Sequence, residues 1–337
     1  MAAPHILIVG SGSVGRRHAR NLAADGGTIS AVDPRSDRLR DISKEVRVEG
    51  CFETLDQALH VTGRTLSGVV IGSPPKVHVE QCLASFQLGL PVLLEKPVSP
   101  DLASTRRLSA AVAAGKTPLL LGYTWRWWPP LSQVRKLLAD NAVGALRHVR
   151  FVMSAHLADW HPWERYQEFF MASAEQGGGA LLDESHWVDL ALWFFGMPQT
   201  VLARVERISD LEIDSDDNVD MLLVYPNGLR VSLHLDLYGR PHERSIRFSG
   251  EKGTILWTAD PNRVAVAHDA AGQWQNTDYD CQRNDMFVAV GREFLDVLRG
   301  GLVRTCTIDD GEKVLRVLDA ARESHRTGRA ISLGASG

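Results

Sequence analysis

Residues able to do redox chemistry stand out at three places in this chain. The hexapeptide Gly10-Ser11-Gly12-Ser13-Val14-Gly15 follows the apolar run Ile6 to Val9. Glycines at this spacing, between a strand and a helix, suit a dinucleotide pyrophosphate. Gly10 permits the tight turn, Gly12 a close backbone approach, and Gly15 tight packing of helix on strand. Ser13, Val14 and Gly15 then lie at a helix N-terminus, whose free N–H groups and partial positive charge attract phosphate. Asp33 ends the next expected strand and can accept hydrogen bonds from ribose hydroxyls. Its carboxylate repels a 2′-phosphate, which favours NAD and leaves NADP as the alternative. Arg35 and Ser36, immediately after it, weaken that preference. The second place is Glu95-Lys96-Pro97, directly after the run Val92 to Leu94. It sets a lysine at the carboxyl end of a later strand, where parallel sheets bind ligands. An ammonium there can stabilise negative charge on a substrate oxygen or donate a proton in reduction. Beside an oxidised nicotinamide its pKa is expected to fall. The Lys96–Pro97 bond is a candidate cis peptide. The third place is Asp183 and His186, which follow Gly177-Gly178-Gly179. Imidazole titrates near neutrality and suits general acid–base work. Asp183 can orient it, with Asp189 as an alternative partner one turn on.

Other residues surround these three places. Ile71-Gly72-Ser73-Pro74-Pro75 is a second strand-to-loop junction on the same sheet edge, so Ser73 and Pro74 are expected against the cofactor. His78, just beyond, is expected near the cofactor ribose or near solvent. Seven of nine tryptophans fall between residues 125 and 193, several of them in Trp125-Arg126-Trp127-Trp128. Aromatic rings suit sugar or base faces, and arginine suits carboxylate or phosphate. Tyr123, Arg126 and Trp160 are therefore substrate-binding candidates alongside Lys96, Asp183 and His186. The segment His156 to Trp163 adds further polar and aromatic groups. His156, Asp159, His161 and His186 match no metal-ligand spacing, and no metal is expected.

The elements that must position these groups follow from periodicity. Strands are predicted at His5–Val9, Thr28–Val32, Val46–Cys51, Gly68–Ile71, Val92–Leu94 and Pro118–Leu121. Helical stretches, such as Val14–Ala24, Lys76–Leu88 and Pro100–Ala114, lie between them. Strand–helix alternation with runs apolar on both faces predicts a doubly wound parallel sheet. Beyond Tyr123 a helix at Leu131–Asn141 leads into long alternating stretches, among them Arg147–Ala155, Val201–Ile208, Val219–Tyr225 and Arg230–Leu237. Asn227-Gly228 between the last two is a hairpin signal. A single helix is predicted over Ala180–Phe195. Two more follow at Asp285–Leu298 and Asp309–Thr327, then a strand at Ala330–Leu333. The acidic stretch Asp214 to Asp220 lacks calcium-loop spacing and is expected to be a solvated loop. The expected architecture is an α/β Rossmann domain over 1–122, then an α+β domain over 123–337. The second domain has an open-faced, mostly antiparallel sheet and is expected to bind substrate and make the oligomer.

Bulk properties narrow the class. At 337 residues, two domains are the default. Hydrophobic content of 44%, charged content of 23% and a formal net charge of -4 describe a globular chain without the basic footprint of a nucleic-acid binder. Four scattered cysteines form no CxxC pair, as in a reduced, intracellular protein. The N-terminus reads as a first strand and no apolar run is long enough to span a bilayer. A cytoplasmic enzyme is expected, with no nucleic-acid or membrane partner. An exposed sheet face, expected to be apolar, predicts a homodimer or homotetramer.

Taken together, the glycine fingerprint, the Ser-Pro-Pro loop, Glu95-Lys96-Pro97, Gly122-Tyr123-Thr124-Trp125-Arg126 and Gly177-Gly178-Gly179 with Asp183 and His186 resemble the glucose–fructose oxidoreductase/inositol dehydrogenase/MocA family. The resemblance covers residues 5–130 and 177–196 and is only general from about 200 on. It implies a Rossmann domain, an open-faced β domain, and NAD(P)-dependent oxidation or reduction of a sugar, polyol or related hydroxy compound. It also implies that Lys96 and His186 are catalytic with Asp183 as partner. In the family the aspartate usually stands four residues before the histidine; here the offset is three. The segment around Trp160 resembles a branch associated with bacterial surface sugars, which implies a sugar-nucleotide or acidic sugar substrate. Same-fold enzymes with non-sugar substrates, and a non-catalytic NAD(P)-binding sensor, are the alternatives.

Overall fold

A computed structural model describes residues 3–160, 165–268 and 272–334. The chain divides into two compact units. The first comprises residues 1–127 and 282–312, the second 128–281 and 313–337.

In the first unit strands and helices alternate: β1 (His5–Val9), α1 (Ser13–Ala24), β2 (Thr28–Val32), α2 (Ser36–Glu45), β3 (Val48–Phe52), α3 (Leu55–Thr62), β4 (Gly68–Ile71), α4 (His78–Gln87), β5 (Val92–Leu94), α5 (Leu102–Ala114) and β6 (Leu119–Leu121). The strands pair in parallel in the order β3-β2-β1-β4-β5-β6. The order reverses between β1 and β4, which is the crevice where such sheets bind dinucleotides. Alternation along each strand feeds both faces. Ile6, Ile8, Val70, Leu93 and Leu120 join one core with Ala19 and Leu22 of α1. The interleaved Leu7, Val69, Val92 and Leu94 are equally buried, and α4 packs on β4 and β5.

The second unit opens with α6 (Pro129–Ala139), β7 (Leu146–Ser154), α7 (Ala180–Asp183) and α8 (Ser185–Phe195). Then come β8 (Thr200–Glu206), β9 (Asn218–Val224), β10 (Arg230–Asp236), β11 (Glu243–Gly250), β12 (Gly253–Ala259), β13 (Asn262–Ala267) and β14 (Gln275–Asp278). After α9 (Arg283–Leu298) and α10 (Ile308–Thr327), β15 (Ile331–Ser332) closes the chain. Among the described residues the sheet has nine strands, in the order β14-β13-β12-β11-β7-β10-β9-β8-β15. All neighbours are antiparallel except β7 and β10. Helices α6, α7 and α8 cover one face. The core beneath them is aromatic: Trp187 packs 6.4 Å from Phe151 and 6.1 Å from Trp257. The predicted hairpin joins β9 to β10, with Gly228 at φ +86 and Tyr225 N donating to Leu229 O at 3.1 Å.

Four expectations need correction. A cut after Gly122 does not give the first unit, because α9 returns to it. Val290, Phe294 and Leu295 of α9 join the core under β1 and β4, and that burial outweighs sequence distance. The single helix over Ala180–Phe195 is two. Glu184 leaves helical geometry at ψ 17 and its carboxylate accepts Trp187 Nε1–H at 3.0 Å. The acidic stretch is not a solvated loop. Asp216 and Asp217 instead satisfy backbone donors: Leu181 N on Asp216, and Ile208 N and Ser209 N on Asp217. The outward sheet face is mixed and not uniformly apolar. It presents Arg150, Arg204, Arg230 and Arg247 beside Leu202, Leu222, Val224 and Leu256, with Leu202 strongly exposed and Trp274 stacked on Arg247.

Candidate active site

The dinucleotide cradle is built by three strand ends. Gly10 takes φ +89, which L side chains rarely adopt. A Cβ there would lie 2.6 Å from Ser73 N, so the turns after β1 and β4 touch backbone to backbone. A Cβ on Gly15 would run into the Gly10 carbonyl oxygen. Gly12 differs: nothing but the Arg38 guanidinium comes within 4 Å of where its Cβ would stand. That open side, on a helix N-terminus with no side-chain cap and no acid in its first turn, fits a pyrophosphate. Ser13 and Val14 continue this first turn, with Ser13 exposed.

Asp33 is buried at the end of β2. Its carboxylate accepts Ser11 N–H at 2.8 Å and Arg35 N–H at 2.9 Å, which fixes its oxygens toward the glycine loop. The Arg35 guanidinium turns away to Asp37, donating from Nη2 to Oδ2 at 2.6 Å. That pair and its hydrogen bonds hold the Asp37 carboxyl down at about 2. Arg38 is the arginine near the cradle, 3.8 Å from Asp33 Oδ2. Sequence reasoning missed it, because its place depends on α2 returning over the glycine loop. Ser73 and Pro74 sit at the rim, partly and fully exposed. His78 does not: it is wholly buried, and burial lowers its pKa against the two carbonyls that face it. It is a core group between loops, not a ribose contact. The reason is that the short turn at Pro75–Val77 rotates the start of α4 inward.

Lys96 stands at the carboxyl end of β5, partly exposed between the buried Glu95 and Pro97. The Lys96–Pro97 peptide is cis. Glu95 is pinned by His18 of α1, whose Nε2 lies 2.7 Å from Oε1.

In the second unit Asp183 and His186 sit on the two short helices after the triple glycine. Gly179 has φ +107, and a Cβ on it would strike the Asp216 carboxylate. That carboxylate accepts Leu181 N–H at 2.7 Å and so holds the start of α7. Desolvation raises the Asp216 pKa. From Gly177 to Leu192 every residue is buried except His186. The packing thus leaves one imidazole partly exposed, its Nδ1 still buried, in an otherwise buried segment. Asp189 is fully buried one turn on.

The expected substrate groups fare differently. Tyr123 is fully buried at the end of β6 and has no surface for a ligand. Arg126 is buried too, its Nη1 3.2 Å from Asp310 Oδ2 and donating to Thr305 O at 2.9 Å. Burial would raise the Asp310 pKa, but Arg126 and hydrogen bonds from Thr307 bring it below the ordinary range. Arg126 is therefore charge-matched within its own unit and not reserved for a substrate anion. Trp125, Trp128 and Trp187 fill cores. Trp160 is partly exposed, with Asp159 beside it in a bidentate pair with Arg240. His161 and Trp163 lie outside the described residues. Among the described residues no group of three His, Cys, Asp or Glu can hold a metal.

Two family models match the chain. Residues 5–123 match the oxidoreductase family with an NAD-binding Rossmann fold, and residues 131–256 match the GFO/IDH/MocA C-terminal domain. The chain belongs to the Gfo/Idh/MocA family. As a member it is an NAD(P)-dependent oxidoreductase, acting as a dehydrogenase or reductase at CH–OH. A D-apiose dehydrogenase from Paraburkholderia graminis is 24% identical, covering 97% of this chain and 88% of that protein. Levoglucosan dehydrogenase, solved with NADH and levoglucosan, superposes with a TM-score of 0.86 at 16% identity, covering 99% of this chain and 100% of the other. The WlbA dehydrogenase from Bordetella pertussis, solved with NADH and UDP-GlcNAcA, gives 0.81 at 20% identity, with the same coverage. No helix among the described residues is long and apolar enough to cross a membrane.

Proposed function

We propose that this family member moves a hydride between NAD and a hydroxyl or carbonyl of a sugar, polyol or sugar-nucleotide-like substrate, with Lys96, His186 and Asp183 as its chemical groups. The observation that carries this is the lysine at the carboxyl end of β5, on the edge of the sheet where the strand order reverses. The sugar and sugar-nucleotide compounds named for the relatives support the substrate class.

The residues that would hold NAD are Gly10, Gly12, Ser13, Val14, Gly15 and Asp33, with Ser73 and Pro74 at the rim. When bound, NAD supplies the hydride acceptor. The chain's own groups handle the oxygen and its proton. The Lys96 ammonium stabilises negative charge on the substrate oxygen as the C–H bond breaks. His186 accepts the hydroxyl proton and returns it in the reverse direction. Asp183 orients the ring and holds its charged form.

The test is turnover of a panel of sugars, polyols and sugar nucleotides with NAD+ and NADH. On the best substrate, Lys96→Ala and His186→Ala are each expected to lower kcat by ~10²–10⁴-fold. Asp183→Asn is expected to cost less. NADH affinity and Tm stay near the parent values. Parent-rate turnover by His186→Ala would remove the proposed proton relay.

A further inference from the structure

The turn that carries Lys96 is gripped by two wholly buried imidazoles. His18, on α1 just past the glycine fingerprint, places Nε2 2.7 Å from Glu95 Oε1. Its ring packs edge-on against Phe287 with centroids 5.5 Å apart. The Glu95 carboxyl lies so close to Gly122 that a Cβ there would stand 3.0 Å from it, and Oε2 accepts Lys96 N–H at 3.4 Å. His78 grips the other side, with Nδ1 2.9 Å from Pro97 O and Nε2 2.7 Å from Ser73 O. Ser73 is the residue whose backbone touches Gly10.

Each imidazole therefore lies between one element of the dinucleotide cradle and one neighbour of Lys96. His18 reaches from α1 to Glu95, and His78 packs between the Ser73 loop and Pro97, within hydrogen-bond distance of a carbonyl on each. Hydrogen bonds in a dry interior hold geometry more firmly than the same bonds in water. A reacting group must be held to within about half an ångström of its productive place.

We propose that His18 and His78 are positioning residues that fix Lys96 relative to the dinucleotide cradle. This rests on the role given to Lys96 above. Neither ring is exposed, so neither touches substrate. His78 in its neutral form has one N–H, which it donates to Pro97 or to Ser73. Asn in its place sets an amide near Nδ1, and Gln sets one near Nε2, so each candidate bond can be kept without the other.

The test uses full-length protein whose seven lysines are labelled by ¹³C reductive methylation. The Lys96 signal is the one missing in Lys96→Arg, and its titration is followed by NMR. His78→Phe and His18→Leu are expected to displace that titration while NADH still binds. His18→Gln, which keeps a donor toward Glu95, is expected to restore it. Of His78→Asn and His78→Gln, one is expected to titrate as the parent and the other not. With a working substrate, kcat in the Phe and Leu variants falls by up to ~10²-fold, as for a slightly misplaced group, with KM for NADH little changed. A parent-like Lys96 titration in both the Phe and Leu variants overturns the proposal. Should His78→Phe not fold, the Asn and Gln pair decides: identical behaviour in both overturns it. Parent-rate turnover by Lys96→Ala would instead remove the role of Lys96, and leave the NMR result standing.

Discussion

At the scale of single residues, the cofactor preference turns on Asp33. Two backbone N–H groups hold its carboxylate in place, so it cannot swing aside for a 2′-phosphate. NADH is expected to bind more tightly than NADPH by ~1–3 kcal/mol, up to about a hundredfold. Fluorescence titration of both reduced cofactors checks this, and Asp33→Ser should narrow the gap. Arg38, 3.8 Å away, is the cation that would then meet the phosphate; the Arg35 guanidinium is occupied by Asp37. Equal binding of the two cofactors by the parent protein would show that Arg38 already offsets the carboxylate.

Among elements, the β9–β10 pair carries a titration that can be measured without any ligand. His234 on β10 lies 3.1 Å from Asp236 and 2.8 Å from Asp220 of β9. The Asp236 hydrogen bond, opposed by burial and aided by Asp220, raises its pKa from 6.5 to about 9. A histidine pKa raised on folding stabilises the native state fully below the unfolded value of 6.5. That contribution is lost as pH rises through about 9. The side chain is over a third exposed, so solvent screening reduces the effect to about 1 kcal/mol. His234→Gln is expected to lower stability by about that much at pH 6, and by almost nothing at pH 10. Urea unfolding at both values checks it. An equal loss at the two pH values would mean that packing, and not charge, holds this histidine.

For the molecule as a whole, a homodimer or homotetramer is the expected assembly. The outward sheet face that would join the copies is mixed, with Leu202, Leu222, Val224 and Leu256 beside its arginines. On it Arg247 stands directly across from Arg150. Like charges so placed repel in an isolated sheet. A partner that brings a carboxylate to this pair would relieve that, and Asp220 on the same face can do so from a second copy. Light scattering at micromolar concentration is expected to give at least twice 37.2 kDa, with the mass falling in high salt. A stable 37.2 kDa monomer at low salt would count against assembly through this face.

The sequence by itself determined what local rules can determine. Alternating apolar runs, glycine spacing and an Asn-Gly turn each act within a few residues, so the parallel sheet, the cradle and the β9–β10 hairpin were legible. Lys96 was legible as well, because a strand end is a local position. Tertiary structure decided which polar side chains face a ligand and which face a partner. Arg126 and Asp310 are 184 positions apart, and His18 and Glu95 are 77; no periodicity links either pair. Burial then set their roles, because a buried charge or imidazole must find a partner inside the protein. Arg126 found Asp310, and His78 the Pro97 and Ser73 carbonyls. His186 alone was left partly exposed on its buried segment. The return of α9 to the first unit has the same origin: a stripe of apolar residues buries where a core has room for it, whatever its distance along the chain.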